Sequence, residues 1–194
     1  MKIIVAILFL LTGTASWADK RPNILFFLVD DMGIGDTSVP FLYRDGEAQK
    51  IKLNDLYRTP NMAKLAESGR IFTNAYSYSV CSPTRISLMT GQAAPRHRVT
   101  TWTHPKQSSI DTGLVKTGKI RSPANWRVTG LDRSLPLLPR LMQQAGYRTL
   151  FAGKAHFGPD DTPSGDPTNL GFDVNIAGLS LIHISEPTRR RGIS

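Results

Sequence analysis

The hydrophobic positions change period along the chain, and the changes mark out alternating strands and helices. Asn23 to Val29 is a nearly unbroken apolar run that ends in Asp30-Asp31. A short run apolar on both faces predicts a buried central parallel strand. The two carboxylates then fall at its carboxyl end, where open α/β sheets place their ligand sites. Met32 to Asp36 reads as a loop, with Gly33 and Gly35 allowing tight turns, and residues 37–58 carry no clear period and read as an irregular excursion. Thr59 is placed to cap a helix with Pro60 at its first position, running Asn61 to Ser68 and stopped by Gly69. Met62, Leu65 and Ala66 form its apolar face. Arg70 to Ala75, with Ile71 and Phe72, reads as a second strand, and a loop from Tyr76 to Val80 leads to Cys81. A short helix follows, with Pro83 in its first turn and Gly91 at its stop. Residues 92–133 are poorly patterned and include His97, Trp102 and His104. Loops of that length in compact domains are often functional. Ser134 through Ala145 predicts a helix facing inward with Leu135, Leu138, Leu141 and Met142, although Pro139 would bend or shorten it. Tyr147 to Ala152 is a third strand, ending in Gly153-Lys154-Ala155-His156-Phe157-Gly158. The order is that of an α/β protein with a mostly parallel sheet.

Composition changes this picture little. The chain has 194 residues, 40% hydrophobic and 20% charged, as in ordinary globular proteins. A net charge of +9 favours anionic partners, though Arg189-Arg190-Arg191 supplies three of those charges. The N-terminus matters more. Lys2, the apolar run Ile3 to Leu11 and the small residues of Ala15-Ser16-Trp17-Ala18 read as a signal peptide over 1–18, cleaved after Ala18. The run is too short to span a membrane as a mature helix, so export to the periplasm or medium is expected, with no stable membrane anchor. Cys81 is the only cysteine. In an exported protein it has no internal disulfide partner, so its thiol is buried and idle, intermolecular, or chemically used.

Three short clusters then carry candidate chemistry. A thiol at the start of a helix faces unsatisfied N–H groups and the positive end of the dipole, which suits anionic chemistry at Cys81. A buried structural cysteine is the competing reading. Asp30 and Asp31 can hold a hard divalent cation, calcium more readily than zinc, or can be a solvated turn. Lys154 and His156 are two apart, so on an extended segment they face the same way, as an anion clamp beside a proton donor or as a surface pair. Arg85 offers a guanidinium fork for a tetrahedral oxyanion, or an ordinary ion pair.

Arg21-Pro22-Asn23-Ile24-Leu25 through Asp30-Asp31-Met32-Gly33, then Cys81-Ser82-Pro83-Thr84-Arg85 with Thr90-Gly91, then Gly146-Tyr147 through Gly153-Lys154-Ala155-His156-Phe157-Gly158, together resemble a type I sulfatase. The shared order extends over about residues 20–175 and includes Gly171-Phe172-Asp173. The resemblance implies an alkaline-phosphatase-like α/β fold and sulfate-ester hydrolysis, and that Cys81 is oxidised to formylglycine by a formylglycine-generating enzyme. It implies calcium held by Asp30, Asp31 and the modified Cys81, with Arg85 keeping them in register. Lys154 would bind sulfate oxygens, and His156 would assist the hydrated aldehyde, whose two hydroxyls allow attack on sulfur and then release of sulfate. The implied substrate is a sulfated small molecule or glycan, with no nucleic-acid partner.

Two departures accompany the resemblance. Ala155 and Phe157 stand where the family commonly has Trp and Leu, which bears on the shape of the local pocket. The family's later metal ligands would lie in a C-terminal half beyond this chain. The expected organisation is therefore a signal peptide at 1–18 and the N-terminal part of a catalytic domain at 19–178. Residues 179–194 are read as a non-native tail, because Leu179 onward resembles a translated adapter more than a fold element; the alternative is a basic, anion-binding tail. Such a fragment is expected to be inactive alone. A phosphodiesterase or phosphonate hydrolase of the same superfamily, and a non-catalytic secreted anion-binding protein, are the other readings of the same residues.

Overall fold

The computed structural model of the protein describes residues 21–103 and 130–176. The expected signal peptide, His104 with much of the unpatterned stretch, and the tail from residue 179 lie outside the described residues. Within them, a hairpin of β1 (Leu42–Arg44) and β2 (Glu47–Gln49) leads into helices α1 (Lys52–Leu56) and α2 (Pro60–Ser68). Helix α3 (Cys81–Thr90) and the short α4 (Ala94–His97) follow. After the break come α5 (Leu138–Gln144), β3 (Leu150–Ala152), two 3-10 turns (Pro163–Gly165 and Pro167–Leu170) and β4 (Val174–Ile176).

The core lies between α3 and the segments that return after residue 130. Ile86 and Met89 of α3 pack with Val99, Leu131, Leu137, Ala155, Phe157 and Leu170. Phe151 stands edge-on to both Phe157 and Phe172, with ring centroids 5.6 and 5.2 Å away. Helix α3 ends as its sequence predicts. Gly91 adopts the left-handed conformation at φ 64°, and its N–H donates to the Ser87 carbonyl at 2.8 Å. Gly130 is required for a different reason. A Cβ there would stand 2.3 Å from the Phe157 carbonyl oxygen, so only glycine lets residues 130–131 lie against Phe157-Gly158.

The mostly parallel sheet is not seen among the described residues. They contain one parallel pair, β3 with β4, and the antiparallel hairpin. The expected central strand, Asn23 to Val29, forms no ladder, and Leu25 and Phe27 are each 80% exposed. A strand of this composition is stable only when hydrogen-bonded on both edges and covered on both faces. Its ends are nevertheless anchored. The Arg21 guanidinium donates to the Ala145 carbonyl, and Asp30 pairs with Lys154. Both contacts are 124 residues apart in sequence, so the two ends of the run meet the two ends of the Ala145–Lys154 segment in the same order. The second expected strand, Arg70 to Ala75, is irregular, with Phe72 exposed and no ladder partner.

Two helices differ from expectation for local reasons. Helix α5 starts at Leu138 rather than Ser134. This places Pro139 in the first turn, where its missing N–H costs nothing, instead of deep in a helix that it would break. Ser134 closes a turn on Asp132, donating to that carboxylate through N (3.0 Å) and Oγ (2.7 Å). Thr59 precedes α2 as expected, but its hydroxyl accepts from the Ser38 N–H at 2.9 Å instead of capping the helix. The hairpin at 42–49 interrupts the supposed irregular excursion. Asp45 and Gly46 both have positive φ, 53° and 86°, as a two-residue hairpin turn requires.

Asp173 staples the parallel pair to α5. Its carboxylate accepts from Thr149 N (2.6 Å), Thr149 Oγ1 (3.0 Å) and Gln143 Nε2 (2.7 Å). The hydrogen bond from the Thr149 backbone, then those from Gln143 and the Thr149 hydroxyl, hold the carboxyl below its ordinary range. A depressed carboxyl pKa stabilises the fold above the unfolded-state value, and that stability is lost as pH falls through the folded value. Asp173→Asn, which cannot accept from the amide with its nitrogen, is expected to lower the Tm at pH 7. The difference from wild type should shrink below pH 3.8, the group's ordinary value; thermal scans across pH 7 to 2 check both.

Candidate active site at the start of helix α3

Helix α3 begins at Cys81, one residue earlier than its sequence suggests, with extended Val80 as the N-cap. The loop before it is tied down by the helix itself. The Tyr78 N–H donates to Thr84 Oγ1 at 3.0 Å, and the Thr84 hydroxyl lies 3.3 Å from the Tyr78 and Val80 carbonyls. On the far side, the buried His97 presents Nε2 to Ser87 Oγ at 2.9 Å and accepts from the Val99 N–H at 3.2 Å. Burial pushes the His97 imidazole below its usual pKa, which keeps it neutral in this bridging role. Helix α3 is thus held from both sides before any ligand is considered.

Five of the six candidate residues meet at this helix start. Cys81 Sγ lies 2.9 Å from His156 Nδ1. Arg85, one turn along α3 and 6% exposed, reaches away from the core. It donates from Nη1 to the Lys154 carbonyl at 2.5 Å and from Nη2 to Asp30 Oδ1 at 3.2 Å. The Lys154 ammonium pairs with the other Asp30 oxygen. Burial alone would raise the Asp30 carboxyl pKa, but the hydrogen bonds and positive charges of Lys154 and Arg85 outweigh it and hold the group below the usual range. Asp31 makes none of these contacts. It lines the same open cleft of about 210 Å³, together with Asp30, Tyr78, Cys81, Thr84 and Arg85. Arg85 Nε is buried there without a hydrogen-bond partner, a donor left over in a group that ordinarily satisfies all its N–H bonds.

The segment from Gly153 to Gly158 is not extended as expected, since His156 has φ 50°. The alternation survives all the same. Lys154 and His156 turn to the site, while Ala155 and Phe157, 0% and 1% exposed, turn into the core. The two departures from the family pattern therefore sit in the packing behind the site and do not line the cleft. Positive φ at both Asp31 (55°) and His156 puts non-glycine residues in a strained region at two site positions. Neither was legible in the sequence.

His156 is fully buried, and its second nitrogen, Nε2, lies 2.8 Å from the Thr103 carbonyl oxygen. Burial pushes its pKa down, and the charges of Lys154 and Arg85 push the same way against the Thr103 carbonyl and Asp30. A neutral imidazole results, which can exchange a proton with whatever stands at position 81. Thr103 carries no motif, and only its place in the fold reveals it.

The sequence profile of the sulfatase family matches residues 22–190. The chain belongs to the sulfatase family. Human N-acetylgalactosamine-6-sulfatase is 35% identical over 161 residues, covering 82% of this chain and 26% of that protein. Human steryl-sulfatase is 30% identical over 191 residues, or 96% of this chain and 28% of that protein. Human arylsulfatase D is 31% identical over 158 residues, or 79% and 22%. The chain thus spans about a quarter of the length of the curated relatives it matches. Family membership implies the alkaline-phosphatase-like fold, of which the described residues make up a small part with short strands. No helix among the described residues is long and apolar enough to cross a membrane.

The donors present suit a hard cation in kind, because Asp30 and Asp31 offer carboxylate oxygens on one cleft. They do not complete a shell. Among the described residues no group of three or more His, Cys, Asp or Glu side chains is placed to hold a metal ion. Position 81 suits an oxygen-bearing side chain, since a hydroxyl in place of Sγ would keep the bond to His156. Arg85→Lys is expected to destabilise the protein by about 1–2 kcal/mol, because one ammonium cannot bridge the Lys154 carbonyl and Asp30 as the planar fork does. Urea denaturation of the two proteins side by side measures it.

Proposed function

We propose that the full-length protein is an exported sulfuric ester hydrolase whose nucleophile is a formylglycine made from Cys81. The observation that carries this reading is the convergence of Asp30, Cys81, Arg85, Lys154 and His156 on one helix start, in a chain of the sulfatase family. Names of relatives such as N-acetylgalactosamine-6-sulfatase favour a sulfated sugar as substrate. The 194-residue chain alone is proposed to be inactive, because two carboxylates make only part of a calcium shell.

The residues divide the work by chemistry. Formylglycine at position 81, as a hydrated aldehyde, would supply two hydroxyls on one carbon for attack on sulfur and release of sulfate. Asp30, Asp31 and the modified Cys81 would hold calcium, which would supply a Lewis acid there. Arg85 fixes Asp30 against the Lys154 carbonyl and so sets the spacing between the metal side and the nucleophile. Lys154 neutralises sulfate oxygens, its ammonium standing beside Asp30 until an anion competes for it. His156 stays neutral and holds or accepts the proton at position 81. Together these groups stabilise a transferring anion by fixed charge.

The remaining architecture follows the same reading. The apolar run at 23–29, whose ends are tied to Ala145 and Lys154, is proposed to become a strand of a mostly parallel sheet in the full-length protein. Residues 1–18 are proposed as the signal peptide, and 19–178 as the N-terminal part of the catalytic domain. Residues 179–194 are proposed as non-native, a reading that independent sequence of the locus decides; the family match itself runs to residue 190.

The test is peptide mass spectrometry and paired assays on the full-length protein from an export-competent host that contains the formylglycine-generating enzyme. The Cys81 peptide should carry the mass of an aldehyde in place of the thiol. Aryl sulfate should turn over faster than aryl phosphodiester, and Cys81→Ala should lose activity by several orders of magnitude. An unmodified thiol in an active enzyme overturns the mechanism, and preference for the phosphodiester overturns the substrate class.

A further inference from the structure

Behind the cleft, the site residues close into a ring that the family motif does not explain. Ser82 follows Cys81 and is fully buried. Its hydroxyl oxygen accepts from the Thr103 N–H at 3.0 Å and lies 3.3 Å from Thr103 Oγ1. Thr103 is buried as well, and its carbonyl faces His156 Nε2 at 2.8 Å. His156 Nδ1 returns to Cys81 Sγ at 2.9 Å, and the peptide bond from Cys81 to Ser82 completes the circuit. A carbonyl oxygen only accepts, so Nε2 must carry a proton. In a neutral imidazole the other nitrogen, Nδ1, then has its lone pair free and aimed at residue 81.

We propose that Ser82 is a positioning residue. By holding the Thr103 backbone it fixes His156 in the Nε2–H tautomer, so that Nδ1 is always an acceptor toward the side chain at position 81. The hydroxyl acts through the backbone of Thr103, 21 residues away, rather than through its 3.3 Å approach to Thr103 Oγ1. Without that anchor the carbonyl is free to turn away, and the ring can carry its proton on Nδ1, where it cannot accept one from the nucleophile. The catalytic meaning of the ring rests on the function proposed above, but its geometry does not. The two therefore fail separately.

The test is nitrogen NMR of histidine side chains in the 194-residue chain, with His156 assigned by its loss in His156→Gln. Wild type should show a protonated, pyrrole-type Nε2 and an unprotonated, pyridine-type Nδ1. Ser82→Ala should shift Nδ1 toward the pyrrole type and expose the Thr103 amide to rapid hydrogen exchange. Thr103→Val keeps the backbone groups and should leave the wild-type pattern unchanged. A pyrrole-type Nδ1 in wild type overturns the proposal, even if Ser82→Ala does not fold. A folded Ser82→Ala that keeps the wild-type tautomer overturns it too, as does a Thr103→Val that shifts it.

Discussion

Arg85 is the constraint on which the described structure depends. It leaves the buried face of α3 one turn after Cys81 and binds two segments at once, the Lys154 carbonyl and the Asp30 carboxylate. A guanidinium in an interior position is tolerated only when its charge is met by a partner. Asp30 supplies the charge, and Lys154 supplies both a carbonyl for Arg85 and a second cation for Asp30. Three stretches far apart in sequence are thereby brought to one point. The helix start, the end of the apolar run and the loop after β3 cannot move independently while this pairing holds.

That pairing links packing to chemistry. The loop after β3 is seated from behind by Ala155 and Phe157, which lie in the same cluster as Ile86 and Met89 of α3. Core burial therefore sets the distance between α3 and the loop, and the polar residues that alternate with Ala155 and Phe157 inherit it. The positive φ of His156 costs on the order of 1 kcal/mol or more, and the packing of its neighbours Ala155 and Phe157 offsets it.

Much of the site was legible in the sequence, because its chemistry is concentrated in short motifs. Cys81, Arg85, Lys154 and His156 meet as expected, and the helix from Cys81 to Gly91 stops where its glycine says it should. The fold was less legible. Asn23 to Val29 reads as a central strand, but a strand is a property of its neighbours, and among the described residues the run has anchors at its two ends and no ladder between them. The pattern from Ser134 to Ala145 predicts a longer helix bent at Pro139, whereas Pro139 lies in the first turn of a shorter one. The Asp45-Gly46 hairpin could have been found from its turn residues. Thr103 could not, since nothing local distinguishes a threonine whose backbone carbonyl orients a histidine.

Asp30 and Arg85, 55 residues apart in sequence, meet through one hydrogen-bonded ion pair, and the site holds together only if the two are energetically coupled. A double-mutant cycle of Asp30→Asn and Arg85→Met, read from urea midpoints, tests it directly. The expected coupling is about 1–2 kcal/mol, well above the ~0.3–0.5 kcal/mol scatter of independent sites. Additivity within that scatter would contradict it.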